Sequence, residues 1–305
     1  MGGALPGRNR VKTPSALVAG LCVVDLVQRV SRPPGPDEKV TALSRELAAG
    51  GPATNAAVTF AVLGGEAVLV TAVGSSPLEA VVRADLDRSG LSVVDVAAAD
   101  REFALNVSSV VVLDGTGERS VVSMDAGTVD EASAALAARA SVADTAPDVV
   151  LLDGHYPAVA VAVAAEARTR RIPVVLDAGR WKPHFADLLL LVDEVVCSAA
   201  FTVPTGSTFA DIALFGHAAG ARVVAQTDGE GAIQLSLEGR LMTVEVPSIE
   251  AVDTLGAGDV LHGAYAYHRA AGREPEEALR RAAEVAAFRC RFAGGRTWVE
   301  AWSER

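Results

Sequence analysis

The sequence predicts an α/β fold in three layers, a central, mostly parallel sheet with helices on both faces, accompanied by a small β lid. Three observations carry this reading. Short runs rich in Val, Leu and Ala recur without polar alternation, as in strands covered on both faces. Alanine-rich segments of helix length separate them, the rhythm of βαβ crossovers. Two stretches, 28–47 and 101–123, break that rhythm and carry no helix of their own to cover them.

Residues 1–15, MGGALPGRNRVKTPS, lack the apolar segment of a secretory signal and read as a flexible tail. One domain is expected over 16–305. SALVAGLCVVDLV, 15–27, reads as one continuous strand, which places Asp25 at its carboxyl end, where open α/β sheets bind ligands. Further strands are read at 67–73, 148–153, 172–177, 193–198 and 221–227, with helices at 53–64, 77–89, 130–143, 157–170 and 207–219. FALNVSSVVVLDGTGERSVVSM reads as two strands around a DGTGE turn. The inserts at 28–47 and 101–123 are expected to form a small sheet over the strand ends; ordinary surface hairpins are the alternative. After residue 247 two long helices follow, the second opening with Pro275 and two glutamates. The closing RTWVEAWSER carries no assignable chemistry.

A chain of 305 residues can bury a large core. Its 27 basic and 38 acidic residues leave a net charge of −11, which argues against a nucleic-acid partner. No apolar run approaches the ~18 residues of a bilayer crossing, so no membrane partner is expected. The lysines are Lys12, Lys39 and Lys182 alone, and none follows a glycine-rich turn. Walker-type, dinucleotide-binding and H-E-x-x-H motifs are missing. Cys22, Cys197 and Cys290 are far apart, fitting a reducing, cytoplasmic setting; Cys22 and Cys197 read as buried small hydrophobes. The five histidines lack metal-ligand spacing, and no protein metal ligands are expected. His262 reads as a packed core residue, and His155, after DVVLLDG, as either a substrate contact or a solvated loop residue.

The sharpest local pattern is Asp253-Thr254-Leu255-Gly256-Ala257-Gly258-Asp259 before an apolar helix. Glycines at a helix start leave backbone N–H groups uncovered, and these converge on anions. If an alcohol meets a phosphoryl group there, Asp259 can accept the alcohol proton while the Gly256–Gly258 amides stabilise charged oxygens. The helix dipole is expected to hold Asp259 ionised. An acidic residue capping a glycine turn is the plainer alternative. GGPATNAAVTFAVLGG, 50–65, is the second pattern: Gly50 and Gly51 admit a ligand close to the backbone, and Asn55 presents a donor and an acceptor together. Helix capping and tight packing explain it equally well. Asp25 could grip sugar-like hydroxyls beside it.

Together GGPATNAAVTFAVLGG and DTLGAGDVLHGAYAY resemble the two signatures of the ribokinase-like, or PfkB, family of carbohydrate and nucleoside kinases, over roughly residues 16–300. Thr227-x-Gly229-x-Gly231 falls in the expected order. The resemblance implies that Asp259 is the catalytic base, that Gly256, Ala257 and Gly258 form an anion hole, and that Asp25, Gly51 and Asn55, with Gly50, Asn106 and His155 nearby, contact an acceptor sugar. It implies ATP across the strand ends, with Thr227 and Gly229 near the phosphates, Ala286, Ala287 and Cys290 near the base or ribose, and Gly231 and Thr254 also among the nucleotide-binding residues. Magnesium, and a monovalent cation such as K+, belong to the implied cofactors. Two positions depart from the family. Ser198 and Phe201 stand where many relatives carry N-x-x-E, used to organise magnesium through water, and Pro52 stands where a second asparagine is frequent. DEKVTALSRELAAGG and TGERSVVSMD are more similar to the ketohexokinase and sulfofructose-kinase side of the family. The implied activity is ATP-dependent phosphorylation of a sugar hydroxyl. Nucleoside, phosphosugar or sulfosugar kinase activity and a weakly catalytic sensor are the alternatives. Arg29, Lys39, Arg101 and Asn106 could recognise an anionic acceptor. Exposed strand edges in the lid suggest a homodimer formed through it.

Overall fold

The computed structural model describes residues 12–305; most of the expected tail lies outside the described residues. In chain order the first elements are β1 (Ser15–Ala19), β2 (Val23–Val30), β3 (Ser44–Gly50), α1 (Pro52–Val62), β4 (Glu66–Thr71), α2 (Glu79–Arg88) and β5 (Ser92–Asp95). Next come β6 (Val107–Leu113), β7 (Arg119–Val122), α3 (Glu131–Thr145), β8 (Val149–Leu152), α4 (Pro157–Thr169), β9 (Val174–Ala178) and α5 (Phe185–Leu188). The remainder is β10 (Glu194–Cys197), α6 (Phe209–Ala219), β11 (Val223–Asp228), β12 (Gly231–Leu237), β13 (Arg240–Val244), α7 (Ala257–Ala270), α8 (Pro275–Arg289) and α9 (Thr297–Ser303).

Nine strands form the large sheet in the order β13-β12-β11-β10-β9-β8-β1-β4-β5. All pairs are parallel except β11 with β12 and β12 with β13. The continuous apolar runs explain the parallel centre: β8, β9 and β10 are buried along their whole length. Helices α1, α7 and α8 pack together as one group and α3 and α4 as another. α1 and α7 come unusually close, because small residues line their contact; a Cβ on Gly263 would overlap the Ala56 carbonyl.

A second sheet has the order β3-β2-β6-β7. Its β6–β7 hairpin is the pair read around DGTGE. Its small core consists of Val27, Val110 and Val112, with Leu255 packed against them.

The run 15–27 is two strands in two sheets, not one strand. The chain leaves the large sheet at Gly20, where a Cβ would overlap the Asp153 carboxylate. That carboxylate accepts from the Leu21 N–H at 2.8 Å and the Ala53 N–H at 3.1 Å, stitching the break to the start of α1. Asp25 therefore lies in β2 of the small sheet, not at a large-sheet strand end. Hydrophobicity hides the break because residues on both sides of it are buried. Ser15, assigned to the tail, already pairs in β1. Strands β5, β12 and β13 have no counterpart in the sequence reading; β13 is a sheet edge with mostly exposed or half-buried residues, which carries little apolar signal. Among the described residues no helix is long and apolar enough to cross a membrane.

Candidate active site

The glycine loop before α7 sits at the middle of the site. Gly256 caps α7 with φ 73°, a left-handed conformation that glycine adopts without penalty. The N–H groups of Gly258 and Asp259 belong to the helix's first turn and have no intrahelical acceptor. The Ala257 N–H differs: it donates to the Thr254 carbonyl at 3.2 Å and is committed to the turn. His262 holds the loop from below, its Nδ1 2.7 Å from the Gly258 carbonyl oxygen and its Nε2 3.0 Å from that of Val196. It is a buried, hydrogen-bonded core residue, as read from the sequence.

Asn55, one turn into α1, donates through Nδ2 to Asp259 Oδ2 at 2.7 Å. Its Oδ1 accepts from Arg296 Nη1 at 2.9 Å, and this fixes the orientation of the amide. Arg296 Nη2 also donates to the Ala49 carbonyl at 2.7 Å, and its Nε lies 3.4 Å from Asp85. Asp25 packs against Gly50, where a Cβ would overlap its carboxylate. Gly51 has φ 98° and approaches the Leu21 carbonyl too closely for any side chain. Asp25, Glu46, Asn55, Gly256, Arg296 and Trp298 line a narrow cleft of about 30 Å³ beneath the small sheet.

On the other side of the loop is a cavity of about 660 Å³. Thr227, Gly229, Thr254 and Gly258 line its polar end, while Ile249 and Ala286 are among its apolar walls, with Ala257, Ala287 and Cys290 also facing it. Gly231, predicted with this group, lies outside the lining: it begins β12 opposite Asp228 in the hairpin register. Thr227 Oγ1 lies 3.4 Å from the Cys197 carbonyl oxygen.

At Asp259 burial raises the carboxyl above the usual range, against the opposing Asn55 donor and His262. Burial also pushes Asp25 up to about 7, with the Asp259 charge the next contributor. Asp153 behaves oppositely: burial works against its charge, but His155 beside it, Lys182 and the Leu21 amide hold it below the usual range.

Other predicted residues are not brought to the cleft. The Asn106 amide donates to the Asp125 carbonyl at 2.9 Å. His155 Nδ1 lies 3.0 Å from Asp153 Oδ1, turned to that buried carboxylate. Arg29 is already paired, 3.3 Å from Asp253 and 3.5 Å from Asp114. Lys39 and Arg101 are exposed. Ser198 Oγ donates to the Gly179 carbonyl at 2.7 Å. Phe201 is buried with Trp181 and Phe185, ring centroids 6.0 and 6.2 Å away, so this position offers an aromatic contact and no carboxylate. Among the described residues no group of three His, Cys, Asp or Glu is placed to hold a metal ion. Sequence reasoning missed Glu46, Asp153, Arg289 and Arg296. The last two lie in or beside the terminal segment, where the only local signal is the Gly294-Gly295 pair.

A model of the pfkB family carbohydrate kinases matches residues 13–302. The chain is 26% identical over 279 residues to the ribokinase of Bacillus subtilis (strain 168), covering 89% of this chain and 91% of that protein. It is 23% identical over 291 residues to the ketohexokinase of Mus musculus, covering 91% and 96%. The structure of Arabidopsis thaliana ribokinase complexed with ribose and ATP has a TM-score of 0.71 at 21% identity, over 96% of this chain and 100% of that one, a likeness of fold.

Proposed function

The chain belongs to the pfkB family of carbohydrate kinases, and we propose that it transfers the γ-phosphoryl group of ATP to a hydroxyl of a sugar. One observation carries the reading: the start of α7 divides two cavities, with Gly256 facing one, Gly258 the other, and Asp259 tied to Asn55 between them. Asp259, its basicity raised by burial, takes the acceptor proton. The open amides of Gly256 and Gly258 stabilise the transferring oxygens, and Ala257 closes the turn. Asp25 and Asn55 orient the acceptor; Gly50 admits Asp25 close to the backbone, and Gly51 lets the chain pass against the Leu21 carbonyl.

The larger cavity suits ATP in size and lining, an apolar slot for the base ending in Thr227 and Gly229. Magnesium bound with ATP neutralises charge on the phosphates. Phe201 would offer it no carboxylate where many relatives carry one, and magnesium would be held chiefly through ATP phosphate and water oxygens. The buried Phe201 also favours a second reading, a sugar- or nucleotide-binding sensor without efficient transfer.

Cys22, Cys197 and Cys290 are free and buried, in keeping with a reducing cytoplasm. The small sheet acts as a lid, and exposed Leu47 and Val122, which share its outer face across the strands, are the surface through which two copies pair.

A panel of sugars and nucleosides with ATP and magnesium, read as phosphorylated product, tests the reaction and separates kinase from sensor. Asp259→Asn is expected to retain nucleotide binding by calorimetry and to lose about 10²-fold or more in kcat. Near-normal turnover in that variant removes Asp259 from the base role.

A further inference from the structure

Arginine 289 bears on the monovalent cation implied by the family resemblance. Such an ion needs a shell of carbonyl or carboxylate oxygens that replaces its water. Beside the anion-hole loop, the carbonyl oxygens of Asp253, Phe292 and Gly294 do converge, but on the guanidinium of Arg289. Its Nη1 donates to Asp253 at 2.6 Å and to Phe292 at 3.2 Å, and its Nη2 to Gly294 at 3.3 Å. Arg289 Nη2 is 3.9 Å from Asp253 Oδ1, and both side chains are 1% exposed. The carboxylate is itself engaged: Oδ1 accepts from the Leu255 N–H at 2.9 Å, and Oδ2 from the Gly294 N–H at 3.1 Å and Arg29 Nη2 at 3.3 Å. These residues do not fit an alkali ion, because the position its ligands would enclose is filled by a permanently charged side chain.

We propose that Arg289 is a tethered internal cation that positions the anion-hole loop and makes the enzyme independent of alkali ions. The inference rests on the kinase reading. A free ion occupies a site according to its concentration, whereas a guanidinium at the end of α8 is present at every salt concentration. It acts at two places. Through Asp253 it fixes the start of the loop that carries Gly256, and through Phe292 and Gly294 it fixes the segment that delivers Arg296 to Asn55. Arg289 is thus a positioning residue.

The test compares chloride salts of K+, Na+ and tetramethylammonium at constant ionic strength, reading both turnover on a sugar identified from the panel and ADP affinity by calorimetry. Wild type is expected to agree within about twofold across the three; activation or tighter binding in K+ by about fivefold or more overturns the proposal. Arg289→Met is expected to lose about tenfold in kcat and to recover at least about threefold when guanidinium or K+ is added. Arg289→Lys, which keeps a cation, is expected to retain more activity than Arg289→Met. A folded Arg289→Met enzyme with unchanged turnover, or one that neither cation restores, also overturns it. If Arg289→Met does not fold, the wild-type comparison decides alone. Should no sugar be phosphorylated, the kinase reading fails, and ADP affinity in the three salts still decides the cation question.

Discussion

On the proposed function, Asp25 serves binding at the expense of folding. Its carboxyl is raised to about 7 by burial and then by Asp259. Above that pH the ionised carboxylate offers all its lone pairs to the proposed sugar hydroxyls; below it the added proton occupies one. The acceptor KM is therefore expected to rise as pH falls through about 7, with kcat changing less, and Asp25→Asn to raise KM and abolish the inflection. Stability runs the other way. The native state keeps this proton to higher pH than the unfolded chain, whose carboxyl titrates near ~3.9, so stability declines as pH rises between those values. Asp25→Asn is expected to be about 1–3 kcal/mol more stable than wild type at pH 8 and no different near pH 4, by urea unfolding. Equal midpoints at pH 8 would refute this. Asp259, Asn55 and Gly256 were legible in sequence because each sits in a compact glycine-bearing motif. Arg296 and Glu46 were not, because their meaning arises only when the chain's last segment folds back: Arg296 onto Asn55, and Gly295, whose N–H donates to Glu46 at 3.2 Å, onto β3.

Two helices, α1 and α7, set the distance between Asn55 and Asp259, and their contact leaves no room for even one added methyl group at Gly263. Gly263→Ala is expected to destabilise the protein by about 1–3 kcal/mol through overpacking. It should also lower kcat by spreading the Asn55–Asp259 pair, where a surface Gly→Ala change would leave kcat alone. Denaturant midpoints together with kcat check it; a variant equally stable and active would show that the helices part freely. The longer helices were legible from their alanine-rich spacing, but not the short α5 and α9, and central strands were legible from continuous apolar runs. The Gly20 break was not, since a switch between two buried sheets leaves hydrophobicity unchanged and depends on the distant Asp153.

At the scale of the molecule, the large sheet is a rigid platform and the small sheet its one strand-built cover. Val122 is 74% and Met124 81% exposed at that cover's outer edge. Sedimentation is expected to show a dimer at micromolar concentration, and Val122→Lys a monomer; a wild-type monomer at high concentration would exclude pairing through this surface. The platform was readable from the alternation of strands and helices, and the cover from the lack of helices beside its strands. Its true extent, from Val23 in β2 and to Gly50 in β3, was not, because the chain enters and leaves it within apolar stretches. Leu255 gives this arrangement a mechanical meaning. It belongs to the loop before α7 yet packs against the small sheet's core of Val27, Val110 and Val112. On the proposed function, a small sheet that lifts would draw Leu255 from that core and take the Gly256 and Gly258 amides out of alignment, an interlock that would guard ATP against hydrolysis while the site is open.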